Sequence, residues 1–539
     1  MKKHLSLLLV AVMIMSLVAC NGTEPGTNNE PNSITLSDNG TFAGGFHTVL
    51  HAGNTTGGFG AMPYLSNFYE TLVVYDSGEY KAGLADSWEI TNEGKTYTFK
   101  LKEGVLFSDG EAFNAETAKK SIEAAPIIMG DFNGSFGTTT MNIASVNALD
   151  EYTLELNLIN SYYGTLHDLC MVDPLGMMSP NAYNEDLTVS EATKTKTFGT
   201  GAYMFDGAVV GSDYTFVKNP NYHGDAPEVD QFTIKLIADP EAAMLAIRNG
   251  EIDLMTGNDR VSLDAFHEFN STDGFTAQKS DSYEKATFLG FNTAAFPFND
   301  QVVRNAVAMA IDKDIMCESI FNGYYDPATS IYPDDYPYCG SLPQSRGLDV
   351  EAAKALLEEN GYVDTDGDGI REKDGKPLSV TLKFQAITGS VDNAMLLVAS
   401  DMEKIGFEVE ATGIDFTTWM SEIMSGNYSI TAQRTYGVQY DPYTVTGNMM
   451  STMMYDPVCS QVGKNNPEID KIIGGISVST DSAFIEDSYN EIFSYVTESD
   501  IIIPLYQQPY ISIFNSEKIA SYDANDTGMQ VVVANIEIK

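Results

Sequence analysis

Arginine is scarce in this chain: Arg248, Arg260, Arg304, Arg346, Arg371 and Arg434 are the only six in 539 residues. Basic residues of both kinds number 30 against 75 acidic ones, for a formal net charge of −45. A body this acidic repels phosphate backbones and anionic lipid surfaces, so no nucleic-acid partner is expected. Cysteine is sparse too, at five, and none sits in a C-x-x-C or similar short pair. Phosphate-cradling and hydrolytic motifs are missing: there is no GxxxxGK[ST], no GxGxxG after a strand, no HExxH and no GxSxG. Ser282–Lys285 matches SxxK and Ser37–Asn39 matches SDN, but their order is the reverse of an acylating-serine enzyme and no KTG follows. No enzyme activity and no cofactor are therefore expected. Beyond the first twenty residues no apolar run approaches the ~18 needed to span a bilayer. What is present is ample: 43% hydrophobic and 11% aromatic residues exclude general disorder, and the length suits two to four domains.

The N-terminus carries the first positive signal. Lys2, Lys3 and His4 precede an apolar run from Leu5 to Val18, and Leu17-Val18-Ala19-Cys20 closes it. The run is too short for a spanning helix, and the order resembles a bacterial lipoprotein signal, in which the chain is cut before a cysteine that then carries diacylglycerol. Residues 1–19 are thus expected to be a signal peptide, with lipid on Cys20. Residues 20–33, rich in Gly, Pro and Asn, are expected to be a flexible tether. Cys170, Cys317, Cys339 and Cys459 suit buried small apolar positions, although an exported chain could oxidise them.

Several segments declare their conformation. Tyr97, Phe99 and Leu101 alternate, as do Tyr152, Leu154, Leu156 and Leu158, and Phe232, Ile234 and Leu236, which predicts half-buried strands. Asp239-Pro240-Glu241 predicts a helix start and Gly250 its stop; further helices are predicted from Asp300 and from near Asp349 to Gly361. Residues 379–433 read strand, helix, strand, helix, strand, which calls for a parallel sheet with right-handed crossovers.

Three clusters invite a metal reading. His47 and His51 are four apart, but in a Gly/Thr-rich stretch where a helix is doubtful, and they are carried as candidate ligand or metal contacts. Asp364, Asp366 and Asp368 open like a calcium loop, yet position twelve is Gly375 instead of Glu, so a solvated acidic turn is the better reading. Met449, Met450, Met453 and Met454 suit adaptable packing or pocket lining. No bound metal is assigned to any of them.

A larger pattern joins these pieces. Tyr69-Glu70-Thr71-Leu72 is followed by Gly83-Leu84-Ala85-Asp86-Ser87-Trp88, by Gly94–Phe99 and by Phe107–Phe113 (FSDGEAF). Gly199-Thr-Gly-Ala-Tyr203, Asn219–Tyr222, Gly250–Leu254, Ala310-Ile311-Asp312 and Ile503-Pro504-Leu505 continue it. Together they resemble the family-5 extracytoplasmic solute-binding proteins, the peptide- and nickel-binding components of ABC importers. The resemblance implies an α/β, two-lobed fold of the periplasmic-binding-protein type II class, with an extra antiparallel subdomain in the first lobe. It places lobe I at 34–288 with the insert at 76–195, lobe II at 289–507, and a return to lobe I at 508–539. The strand crossings between lobes fall near Thr287–Asn292 and Leu505–Gln508.

The same resemblance implies a monomeric receptor tethered through Cys20 to the outer face of the cytoplasmic membrane. It would capture a small solute, a metal chelate or a short peptide, by hinge closure and deliver it to a permease and its ATPase; the alternative is a ligand sensor or other non-transport receptor on the same scaffold, with an enzyme further behind. Arg434-Thr-Tyr-Gly-Val-Gln-Tyr-Asp441-Pro442 looks most like the nickel-binding branch, which makes Arg434, Tyr436 and Tyr440 candidate ligand contacts, with Met62 as a pocket methionine. Asp441 reads as a cap for the turn at Pro442. Two departures stand out. Where that branch grips chelator carboxylates with Arg-Pro-x-Arg, this chain has Asp173-Pro174-Leu175-Gly176, and its usual histidine after Tyr-Asp-Pro aligns with Met454. The peptide binders' amine-pairing Asp aligns with Val438.

Overall fold

A computed structural model describes residues 32–539, apart from 50–60, 77–78, 131–132, 135–136, 211–212, 258–259, 335, 387–388, 436–440, 455 and 524–529. Cys20, His51, Tyr436 and Tyr440, with the signal and tether stretches up to residue 31, lie outside the described residues. No helix among the described residues is long and apolar enough to cross a membrane.

The protein is two-lobed, and one eleven-stranded sheet runs through both lobes. In the first lobe Ser33–Asp38 pairs in parallel with Gln231–Leu236 and with Leu254–Thr256. Asp213–Lys218 and Tyr203–Val210 extend that edge antiparallel. Phe232 and Ile234 face the core, as their alternation predicts; Phe232 stacks on Phe216, in one apolar cluster with Phe46 and Tyr64. Asp239 caps the helix Pro240–Arg248 by accepting from the Ala242 N–H at 2.8 Å, and Gly250 leaves it at φ +72°, a conformation that favours glycine.

An antiparallel insert interrupts this lobe. Its four strands lie in the order Ala85–Thr91, Thr96–Leu101, Thr153–Leu158, Ile143–Asp150. Phe99 sits opposite Leu154 and Tyr97 opposite Leu156, so the two predicted alternating strands are direct neighbours. The helix Ala115–Met129, capped by an Asn114–Thr117 box, covers the sheet's buried face. Leu158, Leu169, Leu175 and Met177 carry the same core into the chain that follows.

The second lobe contains the predicted βαβαβ run. Ser379–Gln385 lies between Glu408–Ile414 and Ile430–Arg434, all parallel, with the helices Gly389–Glu403 and Phe416–Met424 as crossovers. The Asp300 and Asp349 helices form at Gln301–Ala310 and Val350–Glu359, each capped by the aspartate ahead of it. The first ends one residue short of Ile311, which is buried outside the helix. Cys317, Cys339 and Cys459 are buried among apolar side chains, as their sparse pattern suggests, whereas Cys170 is only half-buried against the insert's core.

Two long strands connect the lobes. Phe275–Phe291 and Ile502–Asn515 pair antiparallel along their length, with Thr287 opposite Tyr506 and Lys285 opposite Gln508. Three register shifts lie between Lys279 and Phe288. Bulges of this kind break the ladder locally and raise the twist, which suits a ribbon that bends. An apolar cluster continues past them on both sides, from Ile247 and Phe266 to Leu382 and Phe384.

Candidate functional site

In open parallel sheets, ligands bind in the crevice beyond the carboxyl ends of the strands. In the first lobe those ends are Asp38, Leu236 and Thr256. The Asp38 carboxylate is 2% exposed and well satisfied: Tyr64 Oη donates at 2.8 Å, the Gly40 N–H at 2.7 Å, and Arg260 Nε lies at 2.7 Å. That corner is internally neutralised. His47 follows on the same loop and is buried. Its Nδ1 accepts from the Val49 N–H at 3.2 Å. Burial lowers its pKa to about 4, against the opposing pull of the Asp173 carboxylate, so the ring is neutral at physiological pH. Asp173 itself is buried, at the position where the sequence departs from the nickel branch. Met62 opens the short helix Met62–Asn67, half-buried against the first-lobe aromatic cluster, and its carbonyl accepts from Gln530 Nε2 at 3.0 Å.

In the second lobe the corresponding ends are Gln385, Ile414 and Arg434. Arg434 is half-buried and stands opposite Thr287 on the lobe-connecting ribbon. Thr435 fixes it there: its N–H donates to the Ala286 carbonyl, and its Oγ1 accepts from the Ala286 N–H, both at 2.8 Å. Thr435 thus ties the end of the Arg434 strand to the ribbon. Arg434, like the other five arginines, takes part in contacts within the fold. Arg248 pairs with Glu268, Arg260 with Asp38 and Arg346 with Asp500, while Arg304 and Arg371 donate to carbonyls.

Asp441 Oδ1 accepts from the Tyr443 N–H at 2.7 Å. This is the turn-capping role the sequence suggests. Asp441 also accepts from Tyr163 of the first-lobe insert, a contact that sequence reasoning missed. Burial raises its pKa above the usual carboxylate range, with His167 pulling the other way. Asp168, close by in the insert, is pushed up to about 7 by burial, although it accepts from the Thr139 N–H at 2.8 Å. Met454, aligned with the nickel branch's histidine, is 73% exposed, so it is not enclosed. Asp364, Asp366 and Asp368 are exposed, and their carboxylates accept N–H bonds from their own turn.

The strands of the one sheet end at Asp38, Leu236 and Thr256 on the first-lobe side and at Gln385, Ile414 and Arg434 on the second-lobe side, with the paired strands Phe275–Phe291 and Ile502–Asn515 between them. The model of the bacterial extracellular solute-binding proteins, family 5 (middle region), matches residues 79–453. The chain is 29% identical over 450 residues to the nickel-binding periplasmic protein of Escherichia coli (strain K12), covering 83% of this chain and 84% of that one. It is 25% identical over 455 residues to the oligopeptide-binding protein AppA of Bacillus subtilis (strain 168), covering 80% and 78%. The crystal structure of NikA from Brucella suis in complex with Fe(III)-EDTA superimposes with a TM-score of 0.85 at 26% identity, covering 94% of this chain and all of that one.

Proposed function

The chain belongs to the bacterial extracellular solute-binding proteins of family 5, and from that membership we propose that it captures a small solute between its lobes and hands it to an ABC import permease and its ATPase. It acts by binding, as the proteins it resembles do, and carries out no chemistry of its own. The observation that carries this reading is the paired ribbon Phe275–Phe291 and Ile502–Asn515 with Arg434 at its edge. A solute touching both lobes favours the closed state by its differential affinity for it, and that is all hinge closure requires.

For the ligand we favour a compact metal chelate. The likeness to the nickel-binding protein extends over most of both chains. Arg434 offers one cation for one carboxylate. Where the nickel branch carries Arg-Pro-x-Arg this chain has Asp173-Pro174-Leu175-Gly176, so a chelator with few free carboxylates fits better. Met62, Tyr436 and Tyr440 would then line the pocket. A short peptide is the second reading, and the likeness to AppA supports it. We also place the mature chain on the outer face of the cytoplasmic membrane, as a monomer held by lipid on Cys20.

The test is calorimetric titration with nickel(II) and L-histidine. One site per chain is expected, and Arg434→Ala should weaken it roughly 10- to 100-fold, as befits a charge-assisted hydrogen bond of about 1.5–3 kcal/mol. Unchanged affinity in a folded Arg434→Ala protein would remove Arg434 from the site. No heat with the wild type, together with saturable binding of a peptide, would overturn the chelate reading.

A further inference from the structure

One residue of the first-lobe insert is packed with the second lobe. Tyr163 follows the insert strand Thr153–Leu158 and lies between Leu158 and Leu169, both in the insert's own core. Yet its ring packs against the second lobe's apolar cluster around Val445, Ile492 and Ile502. Its ring meets Tyr338 at 5.9 Å and Tyr443 at 6.1 Å, edge-on in both cases. Its hydroxyl donates to Asp441 Oδ1 and lies 2.9 Å from the hydroxyl of Tyr489. The backbone reinforces the seam: the Tyr163 N–H donates to the Ser477 carbonyl at 3.4 Å, and Ser161 Oγ to the Val478 carbonyl at 2.9 Å. Asp441 is 4% exposed and Tyr489 fully buried.

We infer that Tyr163 is a closure latch: a positioning residue, outside the ligand crevice, that holds the insert against the second lobe and so sets how much of the protein is closed before a solute arrives. The inference rests on the two-lobe capture reading above. The physical reasoning is direct. When the lobes part, Tyr163 leaves an apolar cluster and a carboxylate loses a buried donor. Leaving a buried acceptor without its donor costs more than the bond itself contributes. Apparent affinity is the intrinsic affinity scaled by the closed-competent fraction. A residue that touches no ligand can therefore set ligand affinity through that fraction.

The test is an inter-lobe distance measurement on ligand-free full-length protein, using spin-labelled non-canonical amino acids at Glu89 and Glu486. Both positions are exposed, one on the insert and one on the helix Ser482–Ser499. The wild type is expected to show a short-distance population. Tyr163→Phe and Tyr489→Phe should each reduce its ratio to the long-distance population about tenfold, with the thermal unfolding midpoint tracking whether each variant folds. A ratio within twofold of wild type in both folded variants would overturn the latch, as would a wild type with no short-distance population. The measurement uses no ligand, so failure of the chelate reading leaves it decisive, and a null latch result leaves solute capture standing.

Discussion

Gly199→Ala is expected to be the most destabilising single-methyl change in the first lobe, lowering the urea midpoint of unfolding by the equivalent of about 3 kcal/mol or more. A Cβ at this position would lie 1.9 Å from the Phe68 carbonyl oxygen and 2.5 Å from Tyr69 Cδ1. The obstructing oxygen is backbone and cannot swing aside, since the Gly201 N–H donates to it at 2.9 Å. Gly199 is also tied from the other side, because its own carbonyl accepts from the Ser108 N–H at 2.8 Å. Tyr69 behind it is fully buried and holds Phe46 and Phe198 through its hydroxyl. Overpacking usually costs about 1–3 kcal/mol, and a clash against pinned backbone belongs at or above the top of that range. A Gly199→Ala protein with the wild-type midpoint would show that the 68–69 and 199–201 segments part without loss.

Cys20→Ala is expected to abolish lipid attachment, an all-or-none effect. Lipid anchoring is proposed here on the order of basic residues, a 14-residue apolar run and Cys20. Acyl chains contribute about 0.8 kcal/mol per buried CH₂, and stable anchoring takes two such signals, which a diacylglycerol supplies. Alanine has no sulfur to carry it. Metabolic labelling with a radioactive fatty acid should give a labelled wild-type band and a Cys20→Ala band at background. Label persisting in the variant would refute the assignment of Cys20.

Much of this fold was legible because its signals are local. The alternation in Tyr97–Leu101 and Phe232–Leu236, the aspartate caps at 239, 300 and 349, and the strand–helix series at 379–433 each state a conformation within a few residues. The structure carries all of them. The candidate ligand contact Arg434 was legible only through a family motif, and so was the turn cap at Asp441. The Tyr163–Asp441 contact joins residues 278 apart, and neither residue type nor spacing announces it. His47 was singled out for its distance from His51. Its burial and its bond to Val49 depend on how the loop after Asp38 packs, which no periodicity encodes. In the same way, the scarcity of arginine was plain in the sequence. What the arginines hold, as Arg260 does Asp38 and Arg346 does Asp500, emerged only from the fold.

Native mass spectrometry of the intact protein as purified tests solute capture most directly. One non-covalent adduct per chain is expected, bearing a nickel or cobalt isotope pattern plus a small organic mass, and lost on collisional activation. A ladder of metal-free peptide masses would contradict the chelate, and a protein carrying no adduct even after incubation with nickel and L-histidine or with a peptide mixture would contradict solute capture itself.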